Sequence, residues 1–131
     1  MIKINVLAVM LGGFFGAVCR YALGEWIPTT NGFPLGTLLI NLIGCIFLGW
    51  FLTFVSQKKT IRPEFTLIIG TGFIGSFTTF STFSVETIHL FQEGLVFLAL
   101  LYILTTTILG LLLAYLGRKL AVTYKAKGDV V

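Results

Sequence analysis

The chain has 131 residues, of which 56% are hydrophobic and only 11% charged, and its mean hydropathy is +1.00. A soluble domain carries about 25% charged residues to wet its surface, so this composition excludes a soluble globule and indicates an integral membrane protein of one domain, residues 1–131. The net charge of +4 rests on nine Lys and Arg residues, too few for a nucleic-acid footprint. Cys19 and Cys45 both lie inside apolar runs and read as small buried hydrophobes, with no disulfide framework.

A spanning helix needs about 20 mostly apolar residues, and the chain offers four such runs. The first, residues 5–23, contains Gly12 and Gly16 at the small-xxx-small spacing that lets helices approach closely. No small-residue cleavage site follows it before Arg20 and Tyr21, so it is expected to stay as a span rather than leave as a signal peptide. A turn rich in Pro28, Asn31, Gly32 and Pro34 separates it from the second run, residues 35–55, which carries an isolated Asn41 at its middle. That amide reads either as a helix–helix hydrogen bond or as a group facing a pore. Lys58, Lys59, Arg62 and Pro63 mark the next loop.

The third run, residues 65–88, is the informative one. Gly70-Thr71-Gly72-Phe73-Ile74-Gly75 matches a dinucleotide fingerprint letter for letter, but that motif has meaning only between a strand and a helix. Inside an apolar span its glycines are expected to serve close packing. Immediately after comes Ser76-Phe77-Thr78-Thr79-Phe80-Ser81-Thr82-Phe83-Ser84, in which six of nine residues are Ser or Thr. Polar side chains at mid-membrane are costly unless they face protein or water. This segment reads as a broken helix lining a cavity, the alternative being an intact helix whose hydroxyls bond back to i−4 carbonyls.

His89 and Glu93 mark the last turn, and Glu86 and His89 are expected to be rim residues that tune ion access without selecting. The fourth run, residues 95–116, places Tyr102, Thr106 and Gly110 on one face, flanked by Thr105 and Thr107. Spans two to four thus supply an amide, hydroxyls and aromatic edges with no buried carboxylate, which suits a small anion better than a cation. Enzyme chemistry is not indicated: the one histidine and five acids lie near span ends and form no cluster with metal-ligand spacing. Four spans put both termini on one side. That side holds eight Lys and Arg and the other only Arg20, so both termini are expected in the cytoplasm.

Three stretches carry a resemblance: Gly12-Gly13-Phe14-Phe15-Gly16-Ala17-Val18-Cys19-Arg20-Tyr21, then Gly36-Thr37-Leu38-Leu39-Ile40-Asn41-Leu42-Ile43-Gly44, then the run from Gly72 to Phe83. In order and across all four spans the chain resembles the Fluc (CrcB) family of bacterial fluoride channels. The resemblance implies an all-α membrane protein of four transmembrane helices with a broken third helix, assembling as an antiparallel dual-topology dimer with two pores in the cell membrane. It implies passive export of fluoride, which lowers its toxicity in the cytoplasm. By position, Asn41 would hydrogen-bond fluoride, Phe80 and Phe83 would present ring edges to it, and Arg20 would sit near a vestibule. Ser81, Thr82, Tyr102 and Thr106 would belong to the polar track. Gly75 and Thr78 would hold a structural, untransported Na⁺ with backbone carbonyls.

Two features depart from that pattern. Gly110 stands where the family's track often has a further hydroxyl, for which Thr105 or Thr107 would have to substitute. The eight-to-one charge bias also differs from the near balance expected of a chain inserting both ways, and fits a fixed-orientation subunit paired with an opposite-facing paralogous chain. A non-conducting subunit would be expected to show a damaged polar run or a lost Asn41, and both are intact. A small proton-coupled four-span efflux transporter would need an embedded acid, and residues 5–23 contain none. A four-helix chain has little room to enclose a polar path in lipid, so a dimer is expected on physical grounds too, with the small-residue faces of the first span among the candidates for the contact.

Overall fold

A computed structural model describes residues 2–27, 32–58 and 61–128 of the chain. Pro28, Asn31, Lys59 and Asp129, and the side chains of Lys3, Lys125 and Lys127, lie outside the described part. Hydrocarbon offers the backbone no hydrogen-bond partner, so each segment crossing it must satisfy its own amides. The described chain does this with helices, and no strand forms among its described residues.

Helix α1 runs Ile2–Trp26. Helix α2, Leu35–Gln57, starts after Pro34 and stops at Lys58, whose backbone turns extended (φ −113°, ψ 102°). The third span is composite. It opens with α3, Pro63–Thr66, where proline at the first turn loses no helical bond. A π-helical stretch follows at Leu67–Ile74, then the short α4 at Gly75–Phe77, which ends at extended Thr78 (φ −75°, ψ 154°). Thr79 is extended as well (φ −143°, ψ 122°) and caps α5, Phe80–Gln92. Gly94, at φ +75°, takes the left-handed turn that a side chain would resist, and α6 then runs Val96–Gly128. The break expected from the Ser/Thr-rich run is therefore present, at Thr78 and Thr79.

Four stretches, Ile4–Trp26, Leu35–Gln57, Pro63–Gln92 and Val96–Tyr124, are long and apolar enough to cross a membrane. The protein is a multi-pass membrane protein. Its outer faces are apolar: Met10, Phe14, Phe97 and Leu111 are all exposed, as helices bathed in lipid require. Helix α6, 33 residues, is about 50 Å long, well beyond the ~30 Å hydrocarbon layer, so its last turns carry exposed Arg118 and Lys119 out toward water.

Glycines set the packing. A Cβ at Gly12 would collide with the Ile68 carbonyl oxygen, and one at Gly16 with the Phe73 carbonyl and Ser76 Oγ. Gly72 faces back, with the Val9 carbonyl oxygen 2.7 Å from where its Cβ would stand. Ser76 Oγ closes the contact by donating to the Gly13 carbonyl at 2.6 Å. The close packing expected of Gly12 and Gly16 is therefore present but lies within one chain: both are buried against the π-helical stretch, which leaves these two glycines covered rather than open to a dimer contact. The fingerprint-like glycine run likewise packs helices. Helices α2 and α6 run parallel in equally close contact, through Gly49 against Ala114 and Gly117 against Ile46. Between α2, α5 and α6 the core holds Leu38, Leu42, Leu90, Ala99 and Tyr102, with Phe33 and Phe83 packed against it.

Candidate functional site

The break in the third span frees backbone groups at mid-membrane, where each unpaired one is costly. Asn41 answers part of that demand. Its Nδ2 donates to the Thr79 carbonyl at 3.0 Å and its Oδ1 accepts from the Thr79 N–H at 2.8 Å, the pair of bonds a neighbouring strand would make. Thr79 Oγ1 in turn accepts from the Thr82 N–H at 3.1 Å, the N-cap of α5, and donates to Thr82 Oγ1 at 3.0 Å. Ser81 Oγ lies 3.3 Å from the same oxygen. Asn41 thus acts as helix–helix clamp; one N–H of its two remains without a protein partner among these bonds.

Two consequences follow for Gly75 and Thr78. In a continuous helix the Gly75 carbonyl would accept from the Thr79 N–H, and the Thr78 carbonyl from the Thr82 N–H. Both donors are diverted, to Asn41 Oδ1 and Thr79 Oγ1. The hydroxyls around the break divide their loyalties differently: Thr78, Ser84 and Thr87 bond back to the carbonyls of Ile74, Phe80 and Phe83. The run is therefore broken at one point and back-bonded on either side of it.

Cavities open on both sides of Thr79. The larger, about 740 Å³, is lined by Arg20, Thr37, Thr79, Thr82, Glu86 and His89 among others. The smaller, about 330 Å³, is lined by Asn41, Cys45, Thr78, Phe80, Phe83 and Thr106 among others. Phe80 is 80% exposed, and its ring centroid lies 5.9 Å from that of Phe83. Phe83 packs in turn on Tyr102, at 5.0 Å. The Thr106 hydroxyl oxygen is buried without a hydrogen-bond partner, an uncommon condition for a hydroxyl at the wall of a cavity. Thr105 and Thr107, by contrast, donate to their own helix, at Leu101 and Ile103.

The residues singled out in the sequence thus sort into groups. Asn41, Phe80, Phe83 and Thr106 come together at the smaller cavity, with Thr78 beside them. Arg20 and Thr82 meet at the larger one. Tyr102 is fully buried, and its hydroxyl donates to Glu86 Oε2 at 2.8 Å. Ser81 is exposed and lies outside both linings.

Glu86 is the residue that reading the sequence misplaced. It is no simple rim group: besides Tyr102, Thr37 donates to its Oε1 at 2.8 Å, so one carboxylate joins α2, α5 and α6. The inventory of the spans therefore does include a half-buried carboxylate, one held by two hydroxyl donors. The signal was available, since Glu86 is the only acid within the four predicted runs and Thr37 lies one turn before Asn41 on the same face.

The fold and site together define a class: a small multi-pass helical membrane protein with a neutral-donor cavity beside a broken span. Residues 7–118 match the sequence profile of the family described as CrcB-like protein, Camphor Resistance (CrcB), and the chain belongs to that family. Among similar proteins, the fluoride-specific ion channel FluC of Oceanobacillus iheyensis is 52% identical over 96% of this chain and 98% of its own length. The protein of the same name in Methanocaldococcus jannaschii is 50% identical over 89% of this chain and 94% of its own. Fluoride-specific ion channel FluC 1 of Desulfitobacterium hafniense is 48% identical over 82% and 94%.

Proposed function

We propose that this chain forms a passive fluoride channel of the cell membrane that lets the anion leave the cytoplasm. The names and near full-length identity of its relatives support the ion. The single structural observation that carries the reading is the smaller cavity, where an amide and an unpartnered hydroxyl converge beside the break, with the rings of Phe80 and Phe83 at its wall to be shared out between the pores of a dimer. Fluoride is small and strongly hydrated, so a path through lipid has to replace its water with donors. The free N–H of Asn41 and the Thr106 hydroxyl are such donors. Phe80 and Phe83 add ring edges, the positive rim of the aromatic quadrupole. Neutral donors hold the ion well enough to admit it and weakly enough to release it. Arg20, with the hydroxyl of Thr82 in the same lining, draws the anion toward the larger cavity, and Ser81 adds a hydroxyl outside it, beside Thr79. Tyr102 contributes through Glu86 and Phe83, by holding the ring of Phe83 in place.

In this reading the working unit is an antiparallel dimer with two pores, each built with Phe80 and Phe83 from different chains. The exposure of Phe80 supports a surface completed by a second copy. The carbonyls of Gly75 and Thr78 fit a hard cation such as Na⁺, because their helical donors are diverted and oxygen is its preferred ligand. When bound, Na⁺ supplies a fixed positive charge that ties the break together.

A second reading is favoured by one observation, the eight-to-one distribution of Lys and Arg. It assigns the chain a fixed orientation with both termini cytoplasmic and an opposite-facing relative as partner. Fluoride efflux from liposomes containing this chain alone, followed by electrode with chloride as control, separates the two. Fast efflux of fluoride without chloride is expected for the self-sufficient channel. Folded protein that conducts only after an opposite-facing relative is added would favour the mixed dimer, and conduction in neither case would overturn both.

A further inference from the structure

We propose that the Cys45 thiol is a donor in the wall of the smaller cavity, continuing its polar lining beyond Asn41 at the level where the fourth span has only Gly110 to offer. The inference rests on the channel reading above. Cys45 stands four residues after Asn41 on α2, so the two side chains share a face, and both line the 330 Å³ cavity with Phe80, Phe83 and Thr106. On the facing helix Gly110 is buried, and a Cβ there would stand 3.4 Å from Cys45 Sγ. The side chain missing from α6 leaves the room that the α2 thiol takes. Thr105 and Thr107 do not replace it, since their hydroxyls are committed to the Leu101 and Ile103 carbonyls. Thr106, one turn before Gly110, points independently to a ligand here through its buried, unpartnered oxygen. A thiol is a weak donor, which lets it touch a passing anion without trapping it.

A lining thiol also makes conduction sensitive to thiol chemistry. With methyl methanethiosulfonate, the Cys45 sulfur attacks the reagent's divalent methylthio sulfur, a disulfide forms as the bond to the sulfonyl sulfur breaks, methanesulfinate leaves and the thiol proton passes to water. A methylthio group is then left in the cavity.

The experiment uses the full chain with Cys19→Ala, in which Cys45 is the remaining thiol of the two, reconstituted in liposomes. Mass spectrometry reads modification and a fluoride electrode reads efflux. Modification at Cys45 is expected to slow efflux about tenfold, reversibly with dithiothreitol, by filling a narrow path. Cys45→Val, similar in size without a donor, is expected to slow it about fivefold, and Cys45→Ser to recover most of that loss. The proposal is overturned if modified protein conducts at the unmodified rate, if folded Cys45→Val does, or if Cys45 resists the reagent in the bilayer while reacting in the unfolded chain. Untreated Cys19→Ala protein that carries no fluoride either alone or with an opposite-facing relative would instead refute the channel reading itself, whereas efflux insensitive to Cys45 refutes only the thiol's role.

Discussion

Asn41 holds the break in the third span by the two bonds that one strand residue offers another, and this dual contact sets what its replacement would do. Asn41→Leu leaves the Thr79 N–H and carbonyl without partners in a medium that supplies none. A loss of about 2–6 kcal/mol is expected, since each of the two orphaned buried groups costs ~1–3 kcal/mol. Unfolding of the detergent-solubilised protein checks this, and unchanged stability would show that water already reaches Thr79. Phe80 and Phe83 call for the opposite expectation. Replacing either with Ile keeps apolar bulk and removes the ring edge, so fluoride efflux should be abolished while the protein still folds. Unchanged efflux in both variants would mean that the path runs elsewhere.

At the scale of elements, the third span is a helix only in outline, and its neighbours supply what it lacks. The π-helical stretch Leu67–Ile74 is wider than an α-helix and fits because Gly12 and Gly16 present bare backbone to it. Gly16→Val would drive a branched side chain into the Phe73 carbonyl and Ser76 Oγ. Overpacking of this kind costs about 1–3 kcal/mol or more, and the rigid backbone partner argues for the upper end. A fall in thermal midpoint, read by size-exclusion recovery after heating, is the expected result; recovery equal to that of the unaltered protein would contradict the packing. The break itself was legible from the density of Ser and Thr in residues 76–84. Its position at Thr78 and Thr79 was not legible from that density, because hydroxyls that back-bond and hydroxyls that cap look alike in sequence; only the family resemblance placed it there, at Gly75 and Thr78. The role of Glu86 was hidden for a related reason: its two donors, Thr37 and Tyr102, lie on other helices.

At the scale of the whole molecule, charge governs how the chain sits in the membrane. Eight Lys and Arg against one is a large bias, and the orientation it implies is testable without any knowledge of the ion. Reporter fusions at the C-terminus of the chain expressed alone should report a cytoplasmic location. Comparable populations facing both ways would sink the fixed-orientation reading and favour a homodimer that forms by dual insertion.

Solvent, span number and the location of the unusual segment follow from the chain's own composition and pattern. They are consequences of transfer energies and of backbone demand, which act residue by residue. Which groups end up sharing a wall does not follow in that way. The clamp from Asn41 to Thr79, the thiol of Cys45 beside the bare face of Gly110, and the carboxylate of Glu86 between two hydroxyls each join residues from separate helices. Such pairs depend on how deeply the glycine faces let those helices approach and on their relative rotation, and only the folded arrangement decides both.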